Sequence, residues 1–167
     1  MAFTVLKNQN SNHDFIIEDL KLKWKVKHLM SSEVLTFHFD DRLNLVDPAL
    51  DWRKFRHLPV VDDQGHLKGM VCHRDLMNEF ASATMSPQKH MKYATLENVP
   101  VKDVMVWSVV TVRPNDSLED AAQKMYQNKY GCLPVVDGDK KLLGILTEAD
   151  FVKLVYLGED ALSFTDE

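Results

Sequence analysis

Residues 26–80 and residues 101–155 repeat one another at a constant offset of 75, with no gap. More than a quarter of the aligned pairs are identical. They include Val26/Val101, Lys27/Lys102, Met30/Met105, Thr36/Thr111, Asp41/Asp116, Gly69/Gly144 and Asp75/Asp150. The run Leu-Pro-Val-Val-Asp stands in both copies, at 58–62 and 133–137. A repeat this long constrains the fold before any other feature, because whatever one unit forms must form twice and bury its apolar faces against its copy. The chain divides into an N-terminal extension (1–22), a first unit (23–80), a polar linker (81–98), a second unit (99–157) and an acidic tail (158–167). Glu159, Asp160, Asp166 and Glu167 mark that tail as a solvated, frayed end.

The second unit reads more cleanly than the first. Val109-Val110-Thr111-Val112 is a short β-branched run and predicts a strand. Asp116 is placed to cap a helix, and Leu118, Ala121, Ala122, Met125 and Tyr126 recur at helical spacing until Gly131 ends it. Leu133–Asp137 and Leu142–Leu146 predict two strands joined by a turn at Gly138-Asp139. Thr147 then caps a last helix carrying Phe151, Val152, Leu154 and Val155. The unit is βαββα. In the first copy Val34–Phe39 takes the strand position and Asp41 the cap, while Asp47-Pro48 restarts the helix. The fold class is α/β, with the two units packed sheet to sheet about a pseudo-two-fold axis.

Composition narrows the function. With 45% hydrophobic and 27% charged residues the chain has the make-up of a soluble globular protein. No apolar run reaches membrane-span length, and the N-terminus lacks the apolar core of a signal peptide, so a cytoplasmic address is expected. Two cysteines, Cys72 and Cys132, form no disulfide framework and no CxxC motif. The net charge of −5 argues against nucleic acid.

The spaced elements resemble the CBS motif, named for cystathionine β-synthase. In the first copy they are Val26-Lys27-His28-Leu29-Met30, His57-Leu58-Pro59-Val60-Val61-Asp62, Gly69-Met70-Val71 and Arg74-Asp75. In the second they are Val101-Lys102-Asp103-Val104-Met105, Leu133-Pro134-Val135-Val136-Asp137 and Gly144-Ile145-Leu146-Thr147-Glu148-Ala149-Asp150. The resemblance implies a tandem pair with clefts between the motifs that bind AMP, ADP, ATP or S-adenosylmethionine. Such pairs associate as flat dimers and regulate an attached or partner protein. The flanks at 1–22 and 158–167 are too short to hold an attached enzyme or channel.

The resemblance assigns Thr147 and Asp150 to the ribose and α-phosphate. Asp150 has acceptor oxygens for both hydroxyls of a 2′,3′-diol, and the Thr147 hydroxyl can meet a sugar or phosphate oxygen. Thr-x-x-Asp is equally close to a helix capping box, and the pair can serve both roles. In the first copy Cys72 replaces the threonine and Asp75 is kept. Arg56-His57 is a basic pair where nucleotide-binding members meet phosphates, or else a solvated strand edge; Arg74 can also turn toward a phosphate, but an exposed helix arginine is the commoner case. The second copy has Gly131-Cys132 there, so phosphate contacts fall to the first. In the family pattern Thr36, Phe37, Pro59, Thr111, Val112 and Pro134 line the adenine slots; as strand residues they equally suit a core.

Two leads close. His73-Arg74-Asp75-Leu76 imitates a kinase catalytic loop, but Phe80 stands where the motif needs asparagine. Cys72 and His73 are neighbours at a strand end and are expected to point apart, and no histidine spacing suits a metal. Trp24, Trp52 and Trp107 read as packing and dimer contacts. No nucleophile–base pair stands out, which disfavours an enzyme. The leading reading is a non-catalytic regulatory sensor of adenosine compounds, with no catalytic cofactor and an unidentified regulated protein. The alternative is a dimerisation or interaction module with vestigial pockets. A homodimer is expected from the apolar faces Leu76, Met77, Phe80 and Phe151, Leu154, Val155.

Overall fold

The computed structural model describes residues 24–43, 56–74, 77 and 99–162. In chain order these form α1 (Val26–Leu29), β1 (Phe37–His38), β2 (Arg42–Leu43), β3 (His57–Val61), β4 (Leu67–Cys72), β5 (Val99–Pro100), α2 (Val101–Val104), α3 (Leu118–Asn128), β6 (Cys132–Val136), β7 (Leu142–Thr147) and α4 (Glu148–Leu157), then a 3₁₀ turn, Gly158–Ala161. The predicted restart at Asp47-Pro48, the linker 81–98, and Trp52, Asp75, Leu76 and Phe80 lie outside the described residues.

Each unit is built on one antiparallel hairpin. β3 pairs with β4, His57 opposite Cys72 and Leu58 opposite Val71. β6 pairs with β7 in the same register, Cys132 opposite Thr147 and Leu133 opposite Leu146. Corresponding bulges follow Val60 and Val135. The opening strand is shorter than its β-branched run predicts. In the first unit β1 lies parallel to β3 for two residues, and Phe39 N–H adds a bond to the Val61 carbonyl at 2.8 Å. In the second only Val112 pairs: its N–H donates to the Pro134 carbonyl and its carbonyl accepts from Val136. Prolines stop the ladder on both sides. Pro134 has no N–H for the carbonyl of Val110, and Pro114 has none for Val136.

The helix limits differ from the sequence reading in the same local way. Ser117, not Asp116, caps α3, its hydroxyl accepting from Asp120 N–H at 3.0 Å. Asp116 closes the preceding turn by accepting from Arg113 N–H at 2.9 Å. Asp41 does the same for His38 at 2.7 Å, and β2 follows directly; the helix expected beyond it lies outside the described residues. Lys129, at φ 59°, ends α3 two residues ahead of Gly131.

The opening segment of each unit crosses to the other unit's sheet. Trp24, Val26 and Leu29 share a core with Leu118, Ala121, Met125, Leu133, Val135 and Leu146. Val99, Val101 and Met105 share one with Val60 and Val71. The bridges between units come in pairs 75 residues apart. Ser31 pairs with Ile145, and Met70 pairs with Val106. His66 pairs with Lys141, its own counterpart, which puts that bridge on the pseudo-two-fold axis. The crossings explain the shared glycines: a Cβ on Gly69 would lie 2.5 Å from the Val106 carbonyl oxygen, and one on Gly144 would lie 2.7 Å from that of Ser31.

Candidate functional site

A cleft of about 620 Å³ straddles this axis. Its walls contain the counterpart pairs Arg56/Gly131, His57/Cys132 and His73/Glu148, with Met70, Cys72, Arg74, Lys129 and Tyr130. The cleft lies where β3 and β6 begin and where β4 and β7 run into their following helical turns. The antiparallel register brings those ends together within each unit, and the axis brings the two units' ends face to face.

The charge is lopsided. Arg56, His57, His73 and Arg74 line the first unit's side, while Lys129 and the carboxylate of Glu148 come from the second. The position of Gly131 matters sterically. A Cβ there would meet His57 Nε2 at 2.9 Å, so the glycine makes room for the imidazole at the axis. His57 Nδ1 lies 3.5 Å from Cys72 Sγ. Cys72 and His73 both line the cleft, where β4 ends and a helical turn begins. Cys132 is buried, its Sγ 3.4 Å from Met70 Sδ. Burial, with smaller contributions from Cys72 and Glu148, pushes its thiol up to about 12.

Thr147 and Asp150 stand at the start of α4; neither lines this cleft, which their neighbour Glu148 reaches. Asp150 Oδ2 accepts from both the N–H and the hydroxyl of Thr147, each at 2.7 Å. Glu148 N–H donates to the Gly131 carbonyl, tying the helix start to the cleft wall. Of the other sequence-derived candidates, Arg56, His57 and Arg74 reach the cleft. Thr36 lines a separate cavity of about 220 Å³ with Ser32, Val34, Val61 and Leu142–Gly144. Val112, Pro59 and Pro134 are buried, Thr111 and Phe37 half-buried, with Phe37 against the first unit's core. Asp75 is outside the described residues. His73, Lys129 and Glu148 also line the cleft, and the sequence reading does not include them among the binding residues. The signal for two of them was available: His73 follows Cys72 and Glu148 follows Thr147, at equivalent places in the repeat.

The CBS domain family model matches residues 26–82 and again 101–157. The chain belongs to the CBS domain family. A CBS domain-containing protein of Dictyostelium discoideum is 31% identical over 134 residues, 80% of this chain and 92% of that protein. The crystal structure of CBSX2 in complex with AMP superposes with a TM-score of 0.67 at 30% identity, covering 80% of this chain and 97% of that one. A homoserine O-acetyltransferase of Methanosalsum zhilinae is 26% identical over 156 residues, which is 29% of that enzyme's length. The tandem CBS motifs and the α/β architecture read from the repeat are those of the structure. No helix among the described residues is long and apolar enough to cross a membrane.

Proposed function

We propose that this chain is a non-catalytic regulatory module that binds an adenine nucleotide, its phosphates in the axial cleft and its ribose at Asp150. The observation that carries the reading is the concentration of Arg56, His57, His73, Arg74 and Lys129 around one cleft, where Glu148 brings the one carboxylate among the described lining residues. Such a wall favours AMP, ADP or ATP over the cationic sulfonium of S-adenosylmethionine. The N-terminus of α4, ten residues long, adds its dipole beside the cleft. Asp150 already holds two hydrogen bonds from Thr147, and a carboxylate has about four acceptor sites, which leaves capacity for a ribose diol. The AMP bound to CBSX2 supports the same ligand class. Binding stiffens the interface between the units and shifts the geometry that a partner protein reads. Two free thiols suit a reducing compartment such as the cytosol.

A homodimer forms part of the proposal. Val152, Val155 and Tyr156 project from α4 into solvent, 68%, 87% and 85% exposed. They replace most of the apolar face expected on this helix, since Phe151 and Leu154 pack inward. The same surface favours the second reading, an interaction module whose clefts stay empty.

Titration calorimetry with AMP, ATP and adenosine separates the two. Charge-assisted hydrogen bonds are worth about 1.5–3 kcal/mol each. Asp150→Ala is therefore expected to lose at least about tenfold in affinity for all three. Arg56→Ala is expected to weaken AMP and ATP and leave adenosine unchanged. A wild-type chain that takes up none of the three is the interaction module.

A further inference from the structure

The cleft also holds a nucleophile for which the nucleotide reading has no use. Cys72 ends β4 opposite His57, and its Sγ lies 3.5 Å from the Nδ1 of that ring. An imidazole at this distance is placed to take the thiol proton. On the ring's far side, His57 Nε2 and Glu148 Oε2 lie 2.9 Å and 4.0 Å from one point, the place of a Cβ on Gly131. The thiol and the imidazole are thus in contact, and the Glu148 carboxylate stands near the same Gly131 position. Arg56, His73 and Arg74 line the same cleft and favour a thiolate there. The second thiol is built the opposite way: Cys132 is buried and packed against the sulfur of Met70.

We propose that Cys72 is a thiol-modification site within the cleft, activated by His57 and selective for small anionic disulfides of the glutathione type. Cys72 passes its proton to His57 and attacks one sulfur of the disulfide. The disulfide S–S bond breaks as the bond to Cys72 forms, and the departing thiolate recovers the proton from the imidazolium. Cys72 is oxidised and the departing sulfur is reduced, so the exchange needs no other reagent. The cleft of about 620 Å³ has room for the attached tripeptide, whose carboxylates meet Arg56, Arg74 and Lys129. These are the groups assigned above to nucleotide phosphate. To that extent the inference rests on the nucleotide reading, and modification and nucleotide exclude one another.

The test is the rate and place of adduct formation when the intact chain meets glutathione disulfide, followed by peptide mass spectrometry. The adduct is expected on Cys72, absent in Cys72→Ser and retained in Cys132→Ser. His57→Gln is expected to slow it about fivefold or more. Gly131→Ala, which displaces the ring without removing it, is expected to slow it as well. The folded chain is expected to react faster at Cys72 than the urea-unfolded chain. First reaction at Cys132, or a folded rate at Cys72 no greater than the unfolded rate, overturns the proposal. Added ATP is expected to protect Cys72. Fast modification of Cys72 that ATP fails to slow upholds the thiol site and counts against the nucleotide placement instead.

Discussion

Asp62 and Asp137 do one job in the two units. Asp62 Oδ1 accepts from the N–H groups of Gln64 and His66, and Asp137 Oδ1 from those of Asp139 and Lys141. Each carboxylate thereby closes the hairpin turn that follows its Leu-Pro-Val-Val strand. Asp62 has a further partner in Lys68, whose Nζ lies 2.9 Å from Oδ2. That ammonium, helped by the backbone donors and opposed by burial, holds the Asp62 carboxyl well below its ordinary value of 3.8. Because the folded value is depressed, the unfolded chain takes up the proton first as pH falls. The stability from Asp62 is present above about 3.8 and lost below it. Asp62→Asn is therefore expected to lower the urea midpoint at pH 7, with the gap to wild type closing as pH falls below that value. Urea melts across this range check it, and a gap that stays constant with pH removes the carboxylate from the account. The turn was legible in sequence as Gly138-Asp139 after a strand. The Lys68 contact was not, because it depends on the β3–β4 register placing the lysine beside the turn.

At the scale of elements, residues that look like strand or helix formers are limited by what they pair with. Val109–Val112 has β-branched side chains along its length, yet prolines at 114 and 134 leave it a single bridge. The glycines of β4 and β7 show the complementary case. Gly144 is in a strand interior, where glycine is otherwise a weakness, because Ser31 of the other unit presses its carbonyl against it. Ile145 N–H donates to that carbonyl at 2.9 Å. A methyl group at 144 must therefore push Ser31 away and strain this pairing. Overpacking of this kind costs about 1–3 kcal/mol. Gly144→Ala is expected to lower Tm by about 2–4 °C per kcal/mol lost, and calorimetric melting measures it. An unchanged Tm shows that the opening segment yields freely and that the crossing contributes little.

For the whole molecule, the apolar face on α4 is one that a single chain leaves uncovered. Val152, Val155 and Tyr156 are exposed together on a helix whose inner residues, Phe151 and Leu154, already pack against the second unit's core. In the proposed homodimer a second copy of the chain covers this face in a self-complementary contact. Val155→Glu places charge in that contact and is expected to give a monomer by light scattering at micromolar concentration. Its exposed position keeps the fold intact. A wild-type chain that already scatters as a monomer removes the dimer from the proposal.

The sequence alone determined that the chain is two copies of a βαββα unit, that the second unit's hairpin turns at Gly138-Asp139, and that Thr147 opens a helix with Asp150 in its first turn. These properties depend on residues a few positions apart, so side-chain type and spacing carry them. Tertiary structure alone decided which sheet each opening segment covers. The segments 24–31 and 99–106 have the same apolar pattern whether they pack on their own unit or cross to the other, and only packing across the axis distinguishes the two. It also decided the cleft. Arg56, His57, Cys72, Gly131 and Glu148 are scattered along the chain, and no local spacing announces that two strand starts and two strand ends meet there. They meet because antiparallel pairing joins His57 to Cys72 within one unit, while the pseudo-two-fold axis sets His57 against Gly131 of the other.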